Sequence, residues 1–318
     1  TTYIPESGAV GQREDLSNTI FNIAPTETPV VSSIGKTKAT ATYHEWQTDD
    51  LAAANTDGLL EGADAAAASA TPTVRVGNRT QIQGKTVHVS GTLDAVDKAG
   101  RKTETAYQLA KSGQELKRDM EKTILSNVAQ TAGTTTAARL LGGMQTWLKS
   151  NFVTMTDGVA PTTADGNNTR TEGATAVAFT EAKLKECVKK VFENGGNPTM
   201  LVVPPTQKQV VSEFAGIAAQ RYEAPKSKAT TIIGAADVYL SDFGTLSVVP
   251  DRFMTADDTP AEQALVLDPT MASIATLRPF QSQLLAKTGD SEKHQMIVEY
   301  TLAVNNEKAH GIVADLAV

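Results

Sequence analysis

The sequence lacks several features on which particular classes of protein depend. Among its 318 residues Cys187 is the only cysteine, so no disulfide can form within the chain, which favours a reducing compartment or indifference to redox conditions. No run reaches the roughly 18 apolar residues of a membrane-spanning helix, so we expect no membrane partner. The first five residues show neither the basic nor the apolar part of a signal peptide.

The residue combinations that catalysis requires are also missing. No two histidines lie at the spacing of metal ligands. Neither a Gly-x-Ser-x-Gly nor a Gly-x-Gly-x-x-Gly motif occurs. Gly-Lys-Thr triplets start at Gly35 and Gly84, but Val30 and Arg79 stand where a phosphate-binding loop needs glycine. We therefore predict no enzymatic activity, no metal and no cofactor, with an enzyme of unfamiliar site as a rival interpretation.

Charge is distributed unevenly along the chain, whose formal net charge is −7. Residues 1–70 hold three basic and ten acidic side chains, whereas residues 71–130 hold ten basic and six acidic ones. An acidic front followed by a basic middle suits association between copies. It does not suit a dedicated nucleic-acid binder, which is basic overall. Solvated charge with no partner is an equally open interpretation at this point.

The first third of the chain is predicted to be extended. Glycines and prolines break regular structure in residues 1–35, which leaves an arm with one short helical patch at 15–23. Residues 36–50 and 73–93 alternate like strands on either side of an alanine-rich tip, so together they predict a long hairpin. Strands of about fifteen residues reach roughly 50 Å, beyond the radius of a compact domain of this size. A lone hairpin is marginal in water, so we expect it to lie on a neighbouring molecule.

A long amphipathic helix is predicted over residues 103–130, capped by Thr103. Charged residues that include Glu121 are assigned to its solvent side. A second helix is predicted near 137–150, and the polar stretch 151–178 is predicted to be a surface loop. The apolar stripe of the long helix consists of Leu109, Leu116, Met120, Ile124 and Val128.

The remaining chain predicts an α+β unit and then antiparallel strands. A helix over 181–194 ends at a glycine pair, and a second helix covers 206–221. Residues 271–318 alternate between apolar and polar, which predicts antiparallel strands that pack on the long helix. Further strands are predicted at 200–203 and near 230–234, 236–241, 245–249 and 263–267.

Four long stretches of the sequence resemble the major capsid proteins of tailed bacteriophages with the Hong Kong 97-type fold. Residues 11–54 resemble the arm and first hairpin strand of one subgroup, and residues 76–121 resemble the hairpin return and spine helix. Residues 232–253 and 277–316 resemble its axial-domain strands and peripheral-domain sheet. The resemblance spans nearly the whole chain and is weakest over 151–178.

The resemblance implies an α+β capsid fold with an N-terminal arm, an extended β-hairpin loop, a spine helix with an antiparallel sheet, and an inserted axial domain. It also implies hexamers and pentamers that form an icosahedral or elongated head around double-stranded DNA. The implied domains are an arm at 1–35, an extended loop at 36–93, a peripheral domain at 94–178 and 269–318 with spine helix 103–130, and an axial domain at 179–268.

The implied partners are other copies of the chain, neighbouring virion proteins such as portal, scaffold or decoration protein, and non-specifically bound packaged DNA. The implied location is the virion, after assembly in the host bacterial cytoplasm. One alternative keeps the fold and makes the chain the shell of an encapsulin-like nanocompartment that encloses enzyme cargo; another makes it a different virion part, such as a decoration or tail protein. We expect contacts between copies at Arg13, Asp15, Trp46, Arg75, Arg79 and Lys85.

Overall fold

The structure is a computed structural model in which mixed helices and strands surround two groups of buried apolar side chains. The described strands form a four-stranded sheet, a six-stranded sheet and a two-stranded ribbon, so the α+β class predicted from the sequence is observed. The structure describes residues 26–58, 60–62, 64, 72–214, 237–254 and 261–317.

The four-stranded sheet has the order β1-β10-β11-β4. Its strands β10 and β11 are long and antiparallel, as the alternation at the end of the chain predicted, and β4 adds to β11 in antiparallel register. The short strand β1 pairs in parallel with β10 at the other edge. The strands are β1 (Gly35–Lys38), β4 (Gln81–Ser90), β10 (Ala272–Leu284) and β11 (Ser291–Val304).

The long helix α3 (Glu104–Leu125) packs against this sheet through the middle of its predicted stripe, where Leu116, Met120 and Ile124 are buried. It is shorter than predicted, because Ser126 is extended and Val128 is 42% exposed beyond the helix end. Thr103 occupies the N-cap position without a side-chain hydrogen bond. The Asp94 carboxylate instead accepts a hydrogen bond from the Glu104 N–H at 3.0 Å.

The six-stranded sheet has the order β5-β12-β9-β6-β8-β7. Both of its faces are covered, which explains why β6 is continuously apolar. Met200 and Val202 face the core shared with α3, whereas Leu201 and Val203 face a second core. The strands are β5 (Phe152–Thr154), β6 (Met200–Val203), β7 (Val238–Ser241), β8 (Gly244–Pro250), β9 (Ala261–Leu267) and β12 (Gly311–Ala317).

Among the described residues, helices α4 (Glu181–Glu193) and α5 (Pro205–Ser212) pack against the six-stranded sheet. The helix predicted over 181–194 is confirmed, and Gly195 with φ +85° follows its C-terminus. The helix predicted over 206–221 is observed as far as Ser212, and its remainder enters residues outside the described part. The strand predicted near 230–234 also lies outside the described residues.

The predicted long hairpin is wrong in extent. Each of its two strands is divided. The halves farther from the tip, β1 and β4, pair with β10 and β11 of the four-stranded sheet. Only β2 (Tyr43–Thr48) and β3 (Val74–Arg79) form a two-stranded ribbon. The division occurs at Thr80, whose N–H donates to the Thr42 carbonyl at 2.9 Å as the chain leaves the ribbon.

Three further expectations differ from the structure. The helix predicted near 137–150 is a single 3-10 turn at Met144–Thr146, because Leu140 forms a β-bridge with Thr131 and Gly143 has an extended backbone. The stretch 151–178 is partly buried and contains β5. Strand β12 was expected beside the long helix but pairs with β9 and β5. The sequence also missed two short helices, α1 (Pro29–Ser33) and α2 (Gly91–Ala95).

Candidate intersubunit surfaces

The root of the β2–β3 ribbon is fixed by buried hydrogen bonds. Asn78 is fully buried, and its amide donates to the carbonyls of Gly142 at 3.0 Å and Leu302 at 2.8 Å. The Asn78 side-chain oxygen accepts from the Gly142 N–H at 2.8 Å. Gln130 donates to the Gly77 carbonyl at 3.0 Å. Because the loss of these buried hydrogen bonds would be costly, the root has one favoured position.

A charged cluster holds the same root from the sheet side. The buried carboxylate of Glu299 accepts from the Thr80 hydroxyl at 2.9 Å and from the Arg278 guanidinium at 2.7 Å. Arg139 donates to both Glu299 and the Thr80 carbonyl. One buried carboxylate thus pairs with two guanidinium groups where the ribbon joins the sheet, and such charge-assisted bonds are stronger than neutral ones.

One face of the ribbon packs on the chain's own body. The Trp46 ring lies 5.4 Å from the Trp147 ring, centroid to centroid, and Trp147 is 1% exposed. Val76, opposite Trp46 in the ribbon, packs against the same core. The ribbon is therefore not an arm without a partner, although the large apolar side chains of its tip, Leu51 and Leu60, are not packed by the described residues.

The tip between β2 and β3 exposes large apolar side chains. Leu51 is 99% exposed, Leu60 is 80% exposed and Val74, at the start of β3, is 60% exposed. Near the start of the tip, Asp50 forms an ion pair with Lys308 at 2.7 Å. Two leucines this exposed within one short segment favour burial against another molecule.

The six predicted contact residues are not brought together. Arg75 pairs with Glu45 across the ribbon, and the Arg79 guanidinium lies 5.0 Å from the centre of the Tyr43 ring. Lys85 lies elsewhere, on β4, where it pairs with Asp119 of α3 at 3.0 Å and with Glu115 at 3.7 Å. The hydrogen bond with Asp119 raises the pKa of Lys85. Trp46 packs as described above, while Arg13 and Asp15 lie outside the described residues.

A second exposed apolar surface lies at the far edge of the six-stranded sheet. Strand β7 ends the sheet, and no described strand pairs with its outer edge. Val238 and Leu240 on β7 are 57% and 65% exposed. Nearby, the rings of Phe192 and Phe243 stack with centroids 4.8 Å apart. An apolar edge strand is a template for contact with another chain.

Two buried carboxyl groups, Glu121 and Asp251, connect α3, α1 and the end of β8. Glu121 of α3, which the sequence assigned to the solvent side, is fully buried. Its carboxyl oxygens accept from the N–H groups of Val30 at 2.7 Å and Val31 at 2.8 Å, at the start of α1. Its side chain also hydrogen-bonds to Asp251, the residue after β8. Burial, together with this bond to a second acid, raises the pKa of Glu121 to about 8.

Titratable groups elsewhere are explained by packing. His310 is buried, its Nδ1 accepts from the Asp268 N–H at 3.2 Å, and burial lowers its pKa to about 4. Burial raises the pKa of the Cys187 thiol to about 12, so this cysteine is inert. Within the described ranges, no three histidine, cysteine, aspartate or glutamate side chains are grouped to hold a metal ion. No helix among the described residues is long and apolar enough to cross a membrane.

The sequence did not indicate the residues that fix the ribbon. Asn78, Gln130, Arg139 and Glu299 are ordinary polar residues that become neighbours only in the folded chain, so no local pattern marks them. Leu51 and Leu60 did carry a signal, because together with Leu59 they are the large apolar residues of an alanine-rich, polar stretch, 51–70.

Comparisons with known proteins cover almost the entire chain. A model of the SU10 major capsid protein family matches residues 3–317. The major capsid protein of Escherichia phage Phieco32 is 26% identical over 344 residues, with 95% of this chain and 94% of that protein covered.

Several solved structures share the architecture. The capsid of Cyanophage A-1(L) matches with a TM-score of 0.71 and 12% identity, with 99% of each chain covered. The capsid of the native GTA particle matches at 0.64 and 12% identity, with 100% and 99% covered. The holo-SrpI encapsulin of Synechococcus elongatus PCC 7942 matches at 0.56 and 11% identity, with 97% and 93% covered. At such identities these likenesses show the fold alone, and it is the fold that the sequence predicted.

Proposed function

The chain belongs to the SU10 major capsid protein family, and on that premise we propose that the β2–β3 ribbon and its tip, residues 43–79, join neighbouring copies within the shell. The protein is a major capsid protein of a tailed phage, a structural component of the virion that forms a shell from copies of itself. The proposal concerns which surfaces make the shell and what the shell contains.

The observation that carries the proposal is the contrast between root and tip. Asn78 and Glu299 hold the root in one position, whereas Leu51 and Leu60 extend into solvent. Burying one leucine fully stabilises a contact by about 1.5–3 kcal/mol. A rigid root presents the tip at a defined place, so this free energy is gained without ordering the whole arm on contact.

Charged residues of the ribbon set the register of this contact. We propose that Arg75 and Arg79 reach acidic side chains of a neighbouring copy, and that Arg13 and Asp15 of the arm make further contacts. The Arg75 side chain is 69% exposed, which supports a role outside the chain. Trp46 and Lys85 contribute by holding the ribbon and β4 against the body. Exposed ion pairs add only about 0–1 kcal/mol each, so they select partners more than they strengthen them.

The domain division is also proposed. Residues 1–35 form the arm, 36–93 the extended loop, and 94–178 with 269–318 the peripheral domain around the spine helix. Residues 179–268 form the axial domain, to whose sheet β12 is added. Its exposed edge strand β7 supports a position at the axis of hexamers and pentamers, where copies of one surface meet around a ring.

The contents of the shell and the proteins that contact it are also proposed. We propose that the shell encloses double-stranded DNA, bound without sequence specificity, and contacts a portal, scaffold or decoration protein. Assembly takes place in the host bacterial cytoplasm, and the subunit has no catalytic role. The likeness to an encapsulin makes enclosed enzyme cargo the competing possibility.

Electron microscopy of the expressed protein tests the role of the tip. We expect closed shells from the natural sequence and mostly unassembled subunits from the double variant Leu51→Ser, Leu60→Ser. Val96→Ser is the matched control, because Val96 is 57% exposed outside the ribbon. Closed shells at undiminished yield from the double variant would refute the proposal.

Nuclease treatment of particles from infected cells tests the contents. Nuclease-resistant double-stranded DNA inside the shells supports the phage role. Shells that hold an enzyme and no DNA contradict it.

A further inference from the structure

An apolar groove runs between α1, α3 and β10 on the helix side of the four-stranded sheet. It encloses about 220 Å³. Val31, Met120, Ile274 and Phe280 are among the apolar residues that line it, and Phe280 is 43% exposed. The space is large enough to accept a large apolar side chain, and none from the described residues fills it.

Two lysines form the rim of the groove, Lys36 on β1 and Lys117 on α3. Both are exposed, and among the described residues neither pairs with a carboxylate. On the other side of α3, by contrast, Lys85 is neutralised by Asp119 and Glu115. An apolar groove with a basic rim fits a segment that carries acidic residues next to large apolar ones.

We propose that this groove binds residues 14–23 of the N-terminal arm of a neighbouring copy. The segment begins with Glu14 and Asp15 and continues with Leu16, Ile20, Phe21 and Ile23. Its acidic end meets the lysine rim, one of its large apolar side chains enters the groove, and the others lie along the exposed apolar surface around Phe280. The inference rests on the proposed function, since the neighbour is the adjacent subunit of the same shell.

The position of α1 favours a neighbouring copy over the chain's own arm. Glu121 holds the first N–H groups of α1, so the arm departs from a fixed point beside the groove. Pro25 and Pro29 restrict their own φ angles and favour extended preceding residues, which opposes an immediate reversal. Extended at about 3.3 Å per residue, the chain from Pro29 back to Leu16 spans about 40 Å, enough to reach another subunit.

Disulfide trapping between two variants tests the contact. One variant carries Ile20→Cys in the arm, and the other carries Thr276→Cys in the groove lining. The two are assembled together, oxidised mildly and separated under non-reducing conditions. The natural Cys187 does not interfere, because it is buried and its pKa is raised to about 12.

We expect cross-linked dimers from the mixed particles and none when either variant is assembled alone. Thr86→Cys is the matched control for the groove variant, because Thr86 is exposed on β4 of the same sheet but does not line the groove. Mixed particles that assemble normally without a cross-link would overturn the groove contact and leave the proposed function intact. Failure of the natural sequence to form particles would instead overturn the proposed function.

The chain that carries both cysteines separates the two possible sources of the arm. Kept unassembled and dilute, it remains uncrosslinked if the arm binds a neighbour. A rapid intrachain disulfide in that state would contradict the proposal.

Charge reversal supplies an independent measurement. The variant Lys36→Glu, Lys117→Glu loses most closed particles, and adding Glu14→Lys, Asp15→Lys to the same chain restores them. Lys38→Glu, on the same strand but outside the groove, is the control. Unchanged assembly of the first variant, or no restoration by the second pair, would count against the proposal.

Discussion

Glu121 connects three parts of the chain through one side chain. Its carboxyl oxygens hold the first turn of α1, and its bond to Asp251 joins the spine helix to the end of β8. Two carboxyl groups in hydrogen-bonding contact inside a protein share a proton, because two adjacent buried negative charges repel. The sequence could not indicate this pair, since the two acids are far apart along the chain and Glu121 lies among charged helix residues.

The shared proton makes stability depend on pH. The pKa of Glu121 is raised to about 8 in the folded state, above the ordinary value of 4.5. Between these values the folded chain binds more protons than the unfolded chain, so the free energy of unfolding falls as pH rises. The slope is at most about 1.4 kcal/mol per pH unit for one proton. Urea unfolding of unassembled subunits at pH 5, 6.5 and 8 measures it.

The variant Glu121→Gln removes most of this slope, because its side chain does not titrate. Glu115→Gln is the matched control on the same helix and keeps the slope, since Glu115 is partly exposed and pairs with lysines. An undiminished slope in Glu121→Gln would show that the pair does not hold the proton.

Asn78 has the largest predicted effect among the uncharged polar residues of the ribbon root. Asn78→Ala removes the Asn78 partner from two carbonyls and from two N–H groups, those of Gly142 and Arg79, in a largely buried place. Each such group costs about 1–3 kcal/mol, and partial relaxation gives an expected loss of about 3 kcal/mol in the free energy of unfolding. Denaturant unfolding checks the value. Asn55→Ala in the exposed tip is the control and changes stability by less than about 0.5 kcal/mol.

Among the secondary-structure elements, sequence periodicity identified the amphipathic helices and strands. It did not determine which strands pair with each other. The α3 stripe, the α4 stripe and the alternation of β11 each predicted an observed element. The hairpin prediction was wrong in extent, because β1 and β2, like β3 and β4, alternate in the same way whether they pair with each other or with the C-terminal strands. The helix predicted near 137–150 was also wrong, because Leu140 pairs with Thr131 and Gly143 is extended, although Trp147 itself is buried.

Hydrogen exchange on unassembled subunits distinguishes ribbon root from tip. The Thr80 amide and those amides of β4 that donate to β11 exchange slowly, because they are bonded within the chain's own root and sheet. Among the described strands β4 is an edge strand, so its outward-facing amides exchange faster. The amides of residues 51–58 exchange at rates close to those of an unfolded chain, since these residues are exposed and form no regular structure. Equal protection of both segments would contradict the contrast on which the proposed function depends.

Considered as a whole, the molecule buries two cores and exposes apolar surfaces that its described residues do not cover. The six-stranded sheet lies between the two cores. Within it, β12 from the end of the chain pairs with β9 and β5. The ribbon tip, the β7 edge and the groove beside α1 expose apolar side chains at three separate places. We therefore expect such a subunit to be more stable among copies of itself than alone.

The most direct test is an electron-microscopic reconstruction of assembled shells at side-chain resolution. We expect Leu51 and Leu60 to be buried against an adjacent subunit. The ribbon root keeps the hydrogen bonds that Asn78 and Glu299 form in the single subunit. A shell in which both leucines face solvent, with copies held together only by other surfaces, would contradict it.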